Sequence, residues 1–319
     1  MLFRSGDNLE EGALSFINKH DAVTLYSAYL KLEELERINI NNRVKQIIVR
    51  WEIKDLCLGV SDLKLFQYCL DNKIALYRNT RIHLKALWNN QRSVFFGSAN
   101  VTNKGLGSLG EFNYELNGLQ ENISFDDILY LSNIINTSEY VSEALYLKIK
   151  KLVDETILPV VEYPKLDTVK ENEIDFFLLS QLPMVKHPED LFQISSSNDY
   201  SSIEIACAAH DLALYNVSFK LTETVFFEKL KNAFNSHPFI NKFKEAIRNS
   251  KNRNPDRDGS LQFGVVRQWF AENTTTVPTP RTFELTENVQ ILYDWICYFD
   301  NEYTQGVPGA HSQVIRYVG

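Results

Sequence analysis

Cysteine is sparse in this 319-residue chain, and it is poorly spaced for anything but packing. Cys57, Cys69, Cys207 and Cys297 form no Cys-x-x-Cys pair, and no two of them stand with histidines at zinc-finger spacing. That argues against a cysteine zinc site and against a secreted disulfide framework. Each is read as a small buried hydrophobe. No stretch approaches 18 apolar residues, so no membrane-spanning helix is expected. With 13 glycines and 9 prolines, a collagen-like or Gly/Pro-rich disordered chain is excluded. A uniformly basic coat is also excluded, because 33 Lys and Arg face 41 Asp and Glu for a formal charge of −8. A local basic patch remains open. No apolar run follows Met1–Asp7, so no signal peptide is expected, and a cytoplasmic location is. What the chain does have is 44% hydrophobic residues, enough for a sizeable core and, at this length, for two domains.

The first 150 residues alternate strand-like and helix-like patterns. Leu32 to Ile38 has helical spacing, Val44 to Trp51 is a β-branched run that reads as a buried strand, and Ser61 to Leu70 reads as a helix. Short strands are expected at Ile74 to Tyr77, Ile82 to Trp88 and Ser93 to Phe96, and helices at Ile128 to Ile135 and Val141 to Leu152. Strand, helix, strand in succession favours an α/β sheet with a layer of helices. From Val160 to Tyr200 eight acids stand against three lysines, with Pro164, Pro183 and Pro188 interspersed, the pattern of a linker. The remainder reads as mostly helical, with an Ala-rich buried helix at Ile203 to Tyr215, further helices beginning near Val225, Ile240, Gln262 and Asn288, and a strand in the tail from Ser312 to Val318. The expected organisation is a catalytic α/β domain over 1–158, an acidic linker over 159–200 and a mainly helical domain over 201–319.

Of six histidines, only His83 has a lysine two residues on, at Lys85. In an extended segment the two would share a face. Asn100 stands fifteen residues after Lys85 and closes Gly97-Ser98-Ala99-Asn100, where small residues let backbone and hydroxyl approach a ligand. Glu111 and Glu115 follow, the latter in Asn113-Tyr114-Glu115 before an apolar run. The other histidines are read structurally: His20 as a helix end, His210 as a core residue, and His187, His237 and His311 as loop or surface residues.

His83-x-Lys85, Gly97-Ser98-x-Asn100 and Glu115 resemble the signature of the phospholipase D superfamily. The wider run Ile47 to Leu119, with Leu56 to Phe66 and Gly97 to Gly107, looks like the branch of bacterial nucleases and restriction endonucleases that carries one such motif per chain. The resemblance covers about residues 15 to 155. It implies a phospholipase D-like mixed β-sheet flanked by helices, followed here by a mostly α-helical C-terminal domain. The family often has Asp five residues after the lysine, where this chain has Asn90. Glu115 fits the family's carboxylate better than Glu111.

The resemblance also implies a chemistry that suits these residue types. Lys85 and the Asn100 amide would bind the non-bridging oxygens of a phosphodiester, and the Ser98 hydroxyl would add a donor. His83 would attack phosphorus and form a phosphohistidine, with Glu115 hydrogen-bonded to its other ring nitrogen. A second histidine must protonate the leaving oxygen. Since this chain has one motif, the resemblance implies a homodimer through this domain, with two copies of His83 at one composite site. The expected activity is a metal-independent DNA endonuclease, in restriction or antiphage defence, with no cofactor and no membrane. A helicase or ATPase that gates cutting is a further candidate partner. The alternatives are a non-catalytic dimeric nucleic-acid-binding or assembly subunit, for which Asn90 would mark a decayed site, and a phospholipid phosphodiesterase.

From Lys229 to Arg267 nine basic residues face three acids, within a chain that is acidic overall. Segregated charge of this kind suits phosphate-backbone binding, and Lys242, Lys244, Arg248, Lys251, Arg253 and Arg257 are its candidate contacts.

Overall fold

Apolar side chains alternate strictly along the central strands, and the alternation sorts them into two cores. In a computed structural model of the chain, which describes residues 1–107, 110–159, 164, 177–197, 199–251, 255–274, 282–307 and 313–319, Leu25, Ile47, Val49, Leu87 and Phe95 belong to one buried cluster. Their neighbours Tyr26, Ile48, Ala86, Trp88 and Val94 belong to another. Period-2 side chains buried on both faces require a layer on each side of the sheet.

The chain divides into two compact units, Met1–Tyr163 and Pro164–Gly319. The first is the α/β sheet flanked by helices that the sequence leads one to expect. Its strands are β1 (Leu2–Arg4), β2 (Val23–Ser27), β3 (Val44–Val49), β4 (Ala75–Arg78), β5 (Ala86–Trp88), β6 (Val94–Gly97), β7 (Leu116–Gln120) and β8 (Glu139–Tyr140). They form one mixed sheet in the order β1-β7-β6-β5-β2-β3-β4-β8. The pairs β2–β3 and β3–β4 are parallel, and the others are antiparallel. Helices α1 (Leu9–Lys19), α2 (Leu32–Ile38), α3 (Ile53–Cys57), α4 (Leu65–Asp71), α5 (Asn103–Leu106), α6 (Phe125–Asn136) and α7 (Glu143–Glu155) complete the unit. The cluster containing Leu25 takes in Leu9, Ala13 and Ile17 of α1, Leu35 of α2 and Ile149 of α7. The cluster containing Tyr26 takes in Leu131 of α6. A capping box between Ser124 and Asp127 starts α6. Full burial of one large aliphatic or aromatic side chain in such a core contributes about 1.5–3 kcal/mol.

Two points depart from expectation. Residues 82–85 carry no regular secondary structure and lie before β5, so His83 and Lys85 sit on the approach to the sheet. The helix expected from Ser61 begins later, at Leu65, while the Ser61 hydroxyl accepts from Leu30 N–H at 3.2 Å and ties the connection to the rest of the unit.

The second unit is mainly helical. It contains α8 (Pro188–Ser196), α9 (Ser202–Leu214), α10 (Glu223–Ser236), α11 (Pro238–Arg248), α12 (Phe263–Asn273) and α13 (Thr282–Phe299). Strands β9 (Ser260–Gln262), β10 (Tyr303–Gly306) and β11 (Val314–Tyr317) form an antiparallel sheet in the order β10-β11-β9. Phe226, Phe234, Phe239, Phe243, Phe270 and Trp295 fill its core. Phe177, Leu182, Val185, Leu191 and Ile194 also belong to that core, so the expected linker over 159–200 is structured from Phe177 on. Trp295 Nε1–H donates to the Val185 carbonyl at 2.8 Å and pins this stretch. Apolar residues scattered among the acids carry the segment into the fold, which net charge does not reveal; residues 160–163, 165–176 and 198 lie outside the described residues.

Helix α9 is not the buried helix its Ala-rich sequence suggests. Ala208 and Asp211 are its buried residues, and Ile203 is 76% exposed. A capping box between Ser201 and Glu204 supports it from its own sequence. No helix among the described residues is long and apolar enough to cross a membrane.

Candidate active site

The sheet register brings the motif residues together. Ala86 of β5 pairs with Phe96 of β6, and Gly97 N–H donates to the Lys85 carbonyl at 3.2 Å. Gly97 in turn pairs with Asn117 of β7. A Cβ at Gly97 would lie 2.3 Å from both Asn117 Oδ1 and the Leu116 carbonyl oxygen, so only glycine lets the strands approach this closely. Buried Asn117 uses Oδ1 to accept from Ala99 N–H at 3.2 Å and holds the turn that carries Ser98 and Asn100.

Lys85 is 8% exposed, while His83 is exposed. Lys85 Nζ donates to the His83 carbonyl at 2.8 Å and lies 3.1 Å from both Nδ1 and Nε2 of the His83 ring. The side contact is a hydrogen bond only to a ring nitrogen that carries a lone pair, as a nucleophilic imidazole must. Burial pushes the Lys85 ammonium below the usual lysine range; Glu115 opposes that shift and Arg50 adds to it. Charged groups of both signs therefore act on Lys85.

Asn100 is fixed by its oxygen. Oδ1 accepts from Tyr29 N–H at 3.1 Å. The Ser27 hydroxyl lies 3.4 Å from the same oxygen, but it donates to the Tyr29 carbonyl at 2.5 Å, the shorter of its two contacts. With Oδ1 so engaged, the amide NH2 points the other way as a donor. Ser98 Oγ accepts from Leu116 N–H at 3.1 Å, which leaves its hydroxyl hydrogen to donate elsewhere.

Glu115 is half-buried, and its backbone is clamped by Ser5. Ser5 N–H donates to the Glu115 carbonyl at 3.3 Å, Ser5 Oγ accepts from Glu115 N–H at 3.0 Å, and the same hydroxyl donates to the Asn113 carbonyl. Glu115 and Ser98 line one open cavity of about 430 Å³. Glu111, the other candidate carboxylate, is exposed and pairs with Lys104 at 3.5 Å. The electrostatic link to Lys85 therefore belongs to Glu115. Glu115 makes its contribution at Lys85, and among the described residues no hydrogen bond joins it to the His83 ring.

Three residues outside the motif support the site. The Arg50 guanidinium grips Asp55 in two bonds, of 2.6 and 2.8 Å, donates to the Tyr29 hydroxyl at 2.8 Å and lies 4.7 Å from the centre of the Tyr29 ring. Its bond to Asp55 holds it firmly protonated, above the usual arginine value. The next residue, Trp51, is fully buried at φ 44°, a left-handed conformation that strains a bulky residue by about 1–3 kcal/mol. Nothing in the sequence order of His83 to Glu115 points to Tyr29, Arg50 or Asp55, because parallel pairing of β2 and β3 brings them in. A buried-strand pattern at Val23-Thr-Leu-Tyr-Ser27 was the available signal.

Asn90 stands away from this cluster, in the turn between β5 and β6 at φ 59°. Its Oδ1 accepts from the Thr24 hydroxyl at 2.6 Å, and its Nδ2 donates to the Ala22 carbonyl at 3.3 Å. Its role is to tie the turn to β2, and Asn keeps the acceptor that Asp would supply while adding a donor.

The candidate contacts in the second unit divide. Lys244 is 3% exposed, bonded to Asp300 and Asn235 at 2.8 Å each, and so unavailable to a nucleic acid. Arg248 donates to the Tyr303 hydroxyl at 2.6 Å and lies 5.5 Å from the centre of the Tyr317 ring. Lys242, Lys251 and Arg257 are exposed. Arg253 lies outside the described residues, as does His311. His210 is only part-buried: it bonds to Asp211 and to the Ser180 carbonyl at 2.8 Å each, while Asp211 accepts from Met184 and Val185 N–H. Among the described residues no group of three or more His, Cys, Asp and Glu could hold a metal ion.

No protein-family model matches the chain, and no curated protein does. Solved structures do. The chain is similar in fold to Nuc from Salmonella typhimurium, described as a phospholipase D family member, at 14% identity and a TM-score of 0.36, covering 45% of this chain and 99% of that one. NucT from Helicobacter pylori is similar at 19% identity and a TM-score of 0.34, covering 44% of this chain and 98% of that one. Phosphatidylserine synthase of Haemophilus influenzae is similar at 12% identity and a TM-score of 0.34, covering 77% and 70%. These are likenesses of fold at low identity, and the chemistry of the site rests on its own residues.

Proposed function

We propose that this chain is a phosphodiesterase of the phospholipase D type that cuts DNA by covalent catalysis at His83. One observation carries the reading: Lys85 Nζ lies 3.1 Å from the His83 ring, with Asn100 anchored through its oxygen so that its amide NH2 is left to donate. Lys85, Asn100 and the Ser98 hydroxyl bind the non-bridging oxygens and stabilise the charge that grows on them. A ring nitrogen of His83 attacks phosphorus, and the P–N bond forms as the bond to the leaving oxygen breaks. The His83 of a second copy donates a proton to that oxygen, then takes one from the water that hydrolyses the phosphohistidine and restores the first histidine. The single motif in the chain is the reason for a homodimer through this unit. Glu115 balances the positive charge at Lys85. No step calls for a metal ion, and a role in restriction or antiphage defence, with a helicase or ATPase as gate, is the setting that suits such a nuclease.

The second unit would hold the substrate. Its connectivity, α11-β9-α12-α13-β10-β11 with sheet order β10-β11-β9, resembles that of a winged helix-turn-helix, a form that meets nucleic acid. Exposed Lys242, Lys251, Arg248 and Arg257 supply charge on this unit. Arg257 and Arg316 line one shallow cavity beside the hairpin. The non-catalytic alternative rested on Asn90, whose bonds to Thr24 and Ala22 give it a structural duty away from the site.

The test is incubation of the purified protein with plasmid and single-stranded DNA in excess EDTA, beside His83→Ala. Cutting by the wild type and none by the variant supports the reading. Equal cutting by both overturns it.

A further inference from the structure

His83 has a second neighbourhood that the reaction above does not use. Between the segment leading into β5 and the face of α6 lies an open cavity of about 310 Å³, lined by His83, Asn79, Arg81, Tyr130, Asn133 and Thr137 over the apolar Ile82, Leu84 and Ile134. Its size is at the lower end of ligand pockets, roughly 300–1,000 Å³, which suits one nucleotide. The polar groups in it are unequally occupied. Asn79 is engaged at both ends: its oxygen accepts from Arg81 N–H at 3.1 Å and its amide donates to the Ser138 hydroxyl at 3.0 Å. The Arg81 guanidinium and the Asn133 carboxamide have no side-chain partner among the described residues, and both are exposed. Tyr130 is 63% exposed, a large aromatic side chain mostly open to solvent.

We infer that this cavity receives an unpaired nucleotide next to the phosphate attacked by His83, so that the site prefers single-stranded DNA. The inference rests on the phosphodiesterase reading of His83 and names the form of substrate that reading leaves open. Each component matches one part of a nucleotide. The Tyr130 ring offers a stacking surface to any base, since every base has a π-face. The Arg81 fork suits the adjoining phosphate, and Asn133 offers both a donor and an acceptor to a base edge. A base within a duplex has its faces covered by its neighbours and its edge by its partner, so it cannot enter a pocket walled by α6 without being extruded. The helix holds the aromatic in place: Ser124 and Asp127 cap it, and Leu131, beside Tyr130, is buried in the sheet's outer core. Loss of a base stacked on an aromatic costs about 5- to 150-fold in affinity.

The experiment measures binding, so that it stands apart from cutting. Short single-stranded DNA oligonucleotides, each with one abasic position moved along the strand, are titrated against the full chain in a His83→Ala background. The same series is run with Tyr130→Ala, Tyr130→Phe and Arg81→Ala added. The expected result is an affinity loss of about tenfold when the abasic position falls beside the phosphate at His83, erased in Tyr130→Ala and kept in Tyr130→Phe. Arg81→Ala should weaken all the oligonucleotides and flatten their salt dependence. A scan with no abasic penalty at any position, or a penalty that survives Tyr130→Ala, overturns the inference. Tyr130 is mostly exposed, so its truncation leaves the fold intact. If His83→Ala cuts DNA as the wild type does, the nuclease reading fails, while the binding scan still judges the pocket by itself.

Discussion

Charged and polar residues of the same kinds do opposite work in the two units of this chain. In the first, Asn100, Ser98 and Lys85 spend some of their bonding capacity on neighbouring backbone and keep a donor in hand. In the second, Lys244 and Asp300, Arg248 and Tyr303, and His210 and Asp211 bond to one another and hold the fold. A reactive site needs groups that are positioned yet incompletely satisfied, whereas a stable core needs every buried polar group satisfied. Spacing along adjacent strands predicts the first condition. Charge density along a helical stretch predicts neither.

Five substitutions or titrations would break or sharpen that contrast. Asn100→Asp should keep the acceptor for Tyr29 N–H but lose the free donor and add a negative charge facing the phosphate. DNA cleavage should fall by about 10²–10³-fold with the melting temperature nearly unchanged. Lys244→Ala should do the reverse. It strands Asp300, whose carboxyl burial would raise but which the bond from Lys244 holds below the usual range, and it should cost about 2–3 kcal/mol in denaturant unfolding, discounted because Asp300 is part-exposed. Lys242→Ala, on an exposed side chain of the same helix, should leave stability within about 0.5 kcal/mol and reduce the slope of log affinity against log salt by about 1 if it meets a phosphate.

The pH dependences differ in the same way. Lys85 is depressed by burial, so its charge is lost at lower pH than for an ordinary lysine, and the alkaline limb of cleavage should fall earlier than that of an unburied lysine. His210 is raised by its bond to Asp211, so the folded state binds a proton more tightly than the unfolded chain does. The stabilisation is complete below pH 6.5 and is lost as pH rises through the higher folded value, with a small fall in melting temperature that His210→Gln should abolish.

The candidate site was legible because its residues lie between His83 and Glu115 at the ends of the consecutive antiparallel strands β5, β6 and β7, where sequence order and spatial order coincide. Its supports were not. Tyr29, Arg50 and Asp55 reach it through parallel pairing of β2 and β3, and Tyr130 and Asn133 through packing of α6 on the sheet, contacts that no local pattern records. Lys244 looked like surface charge because its partner, Asp300, stands more than fifty residues away, and Arg248, though exposed, is tied to Tyr303 over a similar separation. Helix α9 looked buried because its apolar residues go all round, yet Ile203 and Ile205 face outward. The strict alternation at Leu25, Tyr26, Ile47 and Ile48, by contrast, fixes both faces of the sheet.

The most direct measurement is to quench the wild-type reaction with phosphorus-labelled DNA and map any covalent label by peptide digestion. A base-stable, acid-labile label on the peptide containing His83, absent from His83→Ala, is the predicted result. DNA cutting that leaves no label on His83, or that persists in His83→Ala, would contradict it.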